Sequence, residues 1–353
     1  PDGGICGEFA LSIITLEQML AKTVLGRGEP GADGRDGTNR PGRTPLVLVP
    51  RRASAFRGPG GTAPTAVSVS TREGVFRGDA GERNYLLQGP DAPVRPAALV
   101  VMLHGARQDP HEFARTTRMA ERAAGDGTFV LFPEQGADHP ARCWNWFRSS
   151  DQFRGRGEPA VIAAMTRQIA ADLGIPPRRV YVAGLSAGAA MAVVVGHAYP
   201  EIYAAVGAHS GVAYRAASTM YEAFDVMARG PGDDRGPNPA SAVPTIVFHG
   251  DSDSTVHMRN AKAIIDDALH ALPPLRNVTR TVEAGPGVRR HTTTAYVDGR
   301  GRSIAEAWIV HGGEHAWYGG ARDGRYTDPE GPDATVEMLR CFRTHTLEPR
   351  CAT

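Results

Sequence analysis

Lysine is almost missing from this chain. Lys22 and Lys262 are the only two in 353 residues, so nearly all the positive charge is arginine. The balance of 39 basic against 38 acidic residues leaves a formal charge of +1, which removes any electrostatic case for a nucleic acid partner or an anionic membrane surface. Cysteine is scarce as well. Cys6, Cys143, Cys341 and Cys351 are too few for a disulfide scaffold; Cys341 and Cys351 are spaced to close a small C-terminal loop, with free thiols the equal alternative. No run reaches the ~20 apolar residues of a membrane span. Phe9 to Leu20 is the most apolar N-terminal piece, but Glu17 and Gln18 interrupt it and no basic segment precedes it, so it does not read as a signal peptide.

The rest reads as one large α/β unit, for which this length suffices. Residues 1–65 form an N-terminal arm. It has a short helix expected around Leu16 to Leu25, then a Gly-, Pro-, Arg- and Thr-rich linker from Gly26 to Pro64 with too few apolar residues to offset ordering entropy. Residues 66–353 form the catalytic domain. Strands are expected at 66–71, 84–88, 97–103, 129–132, 179–183, 204–208, 245–249, 279–283, 292–297 and 305–310. Helices are expected at 111–124, 158–173, 187–197, 259–272 and 329–345. This alternation implies a doubly wound, mostly parallel sheet with helices on both faces, and an antiparallel extension from the strands at 279–297. Residues 214–242 break the rhythm: a helical patch at Ala216 to Ala228 is followed by a Gly-, Pro- and Asp-rich stretch from Arg229 to Ala240, and a long surface loop is favoured there over a small cap.

The most informative stretch is Gly184-Leu185-Ser186-Ala187-Gly188. A buried strand precedes it and a helix of small residues follows, which is the context of a nucleophile elbow with Ser186 at the apex. A serine hydroxyl needs a base and a group to orient that base. In this arrangement the carboxylate and the histidine follow later strands, in that order. After the strand at 245–249 stand Asp251 and Asp253. Asp253 is favoured, because an Asp directly after a turn Gly tends to bond its own backbone. After the last strand stand His311 and His315. His315 is favoured because Gly312-Gly313 lets it reach back, while His257 and His345 are the outlying alternatives. A metal site from His311, Glu314 and His315 would need a helix that the paired glycines oppose. Oxyanion donors are expected from the amides of Ala187 and of Ala106, with Gly105 allowing the turn after the strand at 97–103. Trp144, Trp146, Trp317 and Gln108 are expected to contact substrate.

In combination these pieces resemble the short-chain polyhydroxyalkanoate (PHB) depolymerase family of esterases over about residues 68 to 345. The motifs that carry the resemblance are Leu103-His104-Gly105, Pro133-Glu134-Gln135, Cys143-Trp144-Asn145-Trp146-Phe147, Arg156-Gly157-Glu158-Pro159-Ala160, the Ser186 box, His249-Gly250 with Asp253, and His315-Ala316-Trp317 before Gly319-Gly320. The resemblance implies an α/β-hydrolase fold, a triad of Ser186, Asp253 and His315, an ester or polyester substrate, no metal or organic cofactor, and secretion. Many relatives carry a cysteine where this chain has Ala106, so a bridge from that position to Cys143 is excluded here. The first 65 residues do not match the family pattern, and no polymer-binding module is expected within residues 346–353.

The expected activity is a serine esterase acting on short-chain hydroxyalkanoate esters through an acyl-enzyme. The alternatives are a feruloyl, acetylxylan or general short-chain carboxylesterase and, in another class, a catalytically silent hydrolase-fold binding protein. Acyl-chain length and oligomeric state are not readable from these residues.

Overall fold

The computed structural model describes residues 68–348 apart from 92–93, 137–138, 140 and 233–237. The expected helix at 16–25, the linker, the arm, Cys6 and Cys351 lie outside the described residues.

Ten strands form one sheet in the order β1-β2-β4-β3-β5-β6-β7-β10-β9-β8. Its middle, β4 (Thr128–Pro133), β3 (Ala98–Leu103), β5 (Val180–Leu185), β6 (Ala205–His209), β7 (Thr245–Gly250) and β10 (Ser303–Val310), is parallel throughout. Antiparallel strands flank it on both sides: β1 (Val69–Gly78) and β2 (Gly81–Pro90) at one end, β9 (His291–Val297) and β8 (Arg276–Val282) at the other. β3, β5 and β7 are buried at every position, as strands covered on both faces must be. β8 is the outermost strand and is exposed along nearly its whole length.

Alternation along β5 shows the two layers. Val180 and Val182 face one apolar cluster, while Tyr181, Ala183 and Leu185 face the other. The first cluster takes in α3 (Gly157–Asp172), α4 (Ala187–Ala198), α5 (Met220–Arg229) and α6 (Arg259–Leu269); the second takes in α1 (Pro110–Thr117), α2 (Met119–Ala123) and α7 (Ala334–Arg343). α4 is apolar on all sides because it is enclosed on all sides, by the sheet and by α3.

Three local outcomes differ from the pattern. The expected helix at 111–124 is two helices and a 3-10 turn, because Arg118 adopts φ 52° and sends its guanidinium to the Gly319 carbonyl. The closing helix starts only at Ala334, where Asp333 caps it by accepting from the Val336 amide. In 214–242, where a surface loop was favoured, the helical patch expected at 216–228 is α5, capped by Thr219 and packed inward through Ala223 and Val226. A short parallel pair, β11 (Trp317–Tyr318) and β12 (Thr327–Asp328), completes the set.

The Phe342 ring of α7 stacks on Tyr181 at 4.9 Å and is fully buried. Phe342→Ala should therefore cost about 3–5 kcal/mol. Chemical denaturation should show it, with Val336→Ala on the exposed side of the same helix within about 0.5 kcal/mol of wild type.

Candidate active site

Ser186 terminates β5 and precedes α4 with φ 56° and ψ −120°. The turn is possible only because its flanks lack side chains. A Cβ on Gly188 would overlap the Leu103 carbonyl oxygen, and one on Gly184 would overlap the Gly188 backbone. The Ser186 amide donates to the His209 carbonyl at 2.9 Å, and the Ser186 carbonyl accepts from Ala190 at 2.9 Å. The strained residue is thus fastened on both sides.

Ser186 borders a small, mostly apolar cavity together with Ala106 and Ala187, the two expected oxyanion donors. Ala187 is the first residue of α4, where amides have no intrahelical acceptor and point outward. The walls are Trp146, Phe147, Val212 and Val256, and α5 covers the cavity through Phe224 and Met227. α5 is pinned there, since Asn260 donates to the Val226 carbonyl at 2.9 Å and the His257 amide to the Met227 carbonyl at 2.7 Å. The helical patch expected at 216–228 is this helix, and its place over the cavity corresponds to the cap that the sequence ranked below a surface loop.

Asp253 and His315 meet. The His315 Nδ1 lies 2.8 Å from the Asp253 Oδ2. The other carboxylate oxygen accepts from the amides of Thr255 and Val256 at 2.9 and 2.8 Å. Burial by itself would raise the Asp253 carboxyl, but His315, His249 and the Val256 amide outweigh it and hold it down at about 2. Asp253 is therefore an anion at neutral pH, and it holds the imidazole through Nδ1. His249, part of the His249-Gly250 motif but given no role from the sequence, lies buried behind this pair, 3.6 Å from the Asp253 Oδ2 and 2.6 Å from the Val256 carbonyl.

The rival residues, Asp251 and His311, pair with each other. The His311 Nδ1 is 2.8 Å from Asp251, and its Nε2 is 2.9 Å from the Thr292 hydroxyl. Both ring nitrogens are taken up at the surface. His345 is buried at the end of α7 against the Cys341 carbonyl, and the His257 Nδ1 accepts from the Arg259 amide at the start of α6.

Three of the four expected substrate contacts are corrected. Trp317 is fully buried, T-stacked on Phe113 and bonded to the Thr335 hydroxyl, within the cluster on the far face of the sheet. Trp144 is also fully buried and donates to the His104 carbonyl. An indole with its N–H satisfied inside the core has no surface to offer a ligand. Gln108 is buried too, and its Oε1 accepts from the Gly105 amide at 3.0 Å, so it shapes the turn on which Ala106 sits. Trp146 alone of the four lines the cavity.

Behind Ala106 a polar wall holds the loop in place. His104 donates from Nδ1 to the Gly105 carbonyl at 2.8 Å and accepts at Nε2 from the Gln135 amide at 3.0 Å, which fixes one neutral tautomer. Burial is the main cause that lowers its pKa to about 4. The Gln135 side chain donates to Glu158 and to the Cys143 carbonyl. Glu158 in turn accepts from the Asn145 amide and side chain at 2.8 and 2.9 Å. Gln135, Asn145 and Glu158 each stand in a motif quoted above, but their spacing along the chain gave no sign that they form one network.

A family model described as Esterase PHB depolymerase matches residues 83–286. Poly(3-hydroxyalkanoate) depolymerase C of Paucimonas lemoignei is 29% identical over 278 residues, which is 71% of this chain and 62% of that protein. Feruloyl esterase B of Neurospora crassa is 30% identical over 147 residues, 40% of this chain and 50% of that protein. The chain thus spans less than two thirds of the length of these curated relatives. Among solved structures, an acetyl xylan esterase from Aspergillus awamori superposes with a TM-score of 0.60 at 18% identity, covering 78% of this chain and 99% of that one. The fold is that of the α/β-hydrolase esterases.

The neutral His104 has a consequence for stability. Its pKa falls from 6.5 in the open chain to about 4 when folded, so its contribution is complete above pH ~6.5 and is lost as pH drops toward ~4. Denaturant midpoints measured across that window should fall steadily, by an amount on the order of 3 kcal/mol for His104. The slope should be shallower in His104→Gln.

Proposed function

The chain belongs to the Esterase PHB depolymerase family, and on that premise we propose that it is a serine esterase cleaving short-chain hydroxyalkanoate oligoester or polyester bonds through an acyl-enzyme. One observation carries the reading. Ser186, Ala106 and Ala187 share one cavity, and the bonded Asp253–His315 pair follows β7 and β10, two and three strands along from β5 at the same edge.

In the proposed reaction the Ser186 Oγ attacks the ester carbonyl and the His315 Nε2 takes its proton. The charge that develops on the carbonyl oxygen is met by the amides of Ala106 and Ala187. Asp253, already anionic, stabilises the imidazolium through Nδ1. His315 then protonates the departing alcohol, and water, deprotonated by the same imidazole, releases the acid. The proposed catalytic unit runs from residue 66 to 353, with 1–65 outside it.

The cavity is small and lined almost wholly by apolar side chains, which suits a short acyl chain. A second reading, an acetylxylan-type esterase, draws support from a polar cleft of about 510 Å³ lined by Glu73, Asn84, Tyr85, Asp109, Glu134 and Arg142. Asp109 and Arg142 place that cleft next to the oxyanion loop and Cys143, and its lining suits a hydroxyl-rich leaving group.

Ser186→Ala should lower kcat on p-nitrophenyl butyrate by at least about 10⁴-fold with the melting temperature unchanged. Retained turnover would remove Ser186 from the mechanism. In wild type a fluorophosphonate should label Ser186 stoichiometrically; a folded protein that resists the probe would favour the silent binding protein. Across a panel of hydroxybutyrate oligomers, acetylated xylan and feruloyl sugars, the oligomers should have the highest kcat/KM, and a preference for acetylated xylan would install the second reading.

A further inference from the structure

Phe224 and Met227 stand on one face of α5, because residues three apart in a helix are neighbours. Both line the Ser186 cavity, and so does the buried Ala223 beside them. The two larger side chains are half-buried, packed against the apolar cluster on that side of the sheet. Tyr221, on the same helix, is 83% exposed and takes no part in the cavity lining. α5 thus has an inner face aimed at the nucleophile and an outer face in solvent.

The helix is held at both ends. At its start the Thr219 hydroxyl accepts from the Glu222 amide at 3.2 Å, and the Glu222 carboxylate accepts from the Ser218 amide at 2.7 Å. Just before it, the Gln152 Nε2 donates to the Ala217 carbonyl at 2.5 Å and to the Trp146 carbonyl at 2.9 Å, tying the entry of α5 to another cavity wall. At its far end the bonds from Asn260 and His257 join Gly230, whose φ of 85° turns the chain against the Arg259 side chain. The height of this roof over Ser186 is therefore set by hydrogen bonds as well as by apolar contact. The cavity lies on the acyl side of the scissile bond. Ala106 and Ala187, the donors to the carbonyl oxygen, line it, whereas His315, which must reach the departing alcohol, is not among its described lining residues.

We infer that Phe224 and Met227 set the acyl-chain length the enzyme accepts, by closing the end of the pocket that holds the acyl group while it is bonded to the Ser186 Oγ. The inference rests on the esterase reading above and deepens it. A short acyl chain fits beneath the two side chains. Each further methylene has to push one of them out of its packed position, and well-packed walls resist overfilling. The limit is imposed by side chains on a fastened backbone, so truncation relaxes it. Removing either side chain leaves an apolar gap continuous with the cavity, which the added methylenes of a longer chain then fill.

The test compares p-nitrophenyl butyrate with p-nitrophenyl octanoate in the full chain. Wild type should prefer the butyrate. Phe224→Ala and Met227→Ala should each raise the octanoate-to-butyrate ratio of kcat/KM by about tenfold or more, with the octanoate value itself increasing. Phe224→Leu should fall between wild type and Phe224→Ala. Tyr221→Ala, on the outer face, should leave the ratio as it is, which separates pocket length from a general loosening of α5. An unchanged ratio in both alanine truncations, an equal shift in Tyr221→Ala, or a wild type that cleaves octanoate as well as butyrate overturns the inference. A wild type that cleaves neither ester overturns the esterase reading instead. Calorimetric Kd values for butanamide and hexanamide then decide the pocket: Phe224→Ala should tighten hexanamide relative to butanamide, and an unchanged ratio rejects it.

Discussion

The contact on which the site depends is backbone against backbone. The turn from β5 into α4 passes so close to the end of β3 that neither Gly184 nor Gly188 has room for a Cβ. The strand must therefore reverse into the helix within one residue, and Ser186 absorbs the cost in a backbone conformation that side-chain-bearing residues rarely adopt, worth ~1–3 kcal/mol. That cost persists because the surroundings over-determine it: β5 is paired on both sides, and the serine amide is bonded to the carbonyl of His209 on β6. The same approach sets the start of α4 next to the oxyanion loop, so the outward-pointing Ala187 amide and the Ala106 turn border the same space as the hydroxyl.

Around that turn the polar groups are arranged in two separate circuits. One runs through Asp253, His315 and the buried His249, and it keeps a carboxylate ionised under cover. The other runs through Glu158, Gln135, His104 and Gly105, and it fixes the loop opposite. Only the first touches the proposed base. The second acts on geometry alone, which is why its residues show no signature of reactivity and are buried out of reach of any substrate.

Much of this was legible before any coordinates. Every central strand was visible, because strands buried on both faces are continuous apolar runs between glycines and turns. The choice of Asp253 over Asp251 and of His315 over His311 followed from where each stands relative to a strand end. The two rejected residues turn out to satisfy each other at the surface. What escaped notice depends on long-range packing. Trp144 and Trp317 carry the amphipathic chemistry of ligand contacts, but their N–H groups are bonded inside the core. α5 was read as a helical patch, but its place over the cavity was ranked below a surface loop, because that closure depends on Asn260 of α6 and on His257 just before it. The break at Arg118 comes from an arginine in a glycine-like conformation that no composition rule foresees.

At the far end of the sheet, β8 turns an open row of amides and carbonyls outward, with no further strand beside it among the described residues. Such a rim is a template for another chain to add to. Arg276 and Arg280 stand on it, both exposed, and a second copy approaching edge to edge would bring its own guanidinium groups against them. Protection from self-association in concentrated solution thus falls to charges remote from all the chemistry, on a hairpin whose cross-strand threonine pairs hold its register.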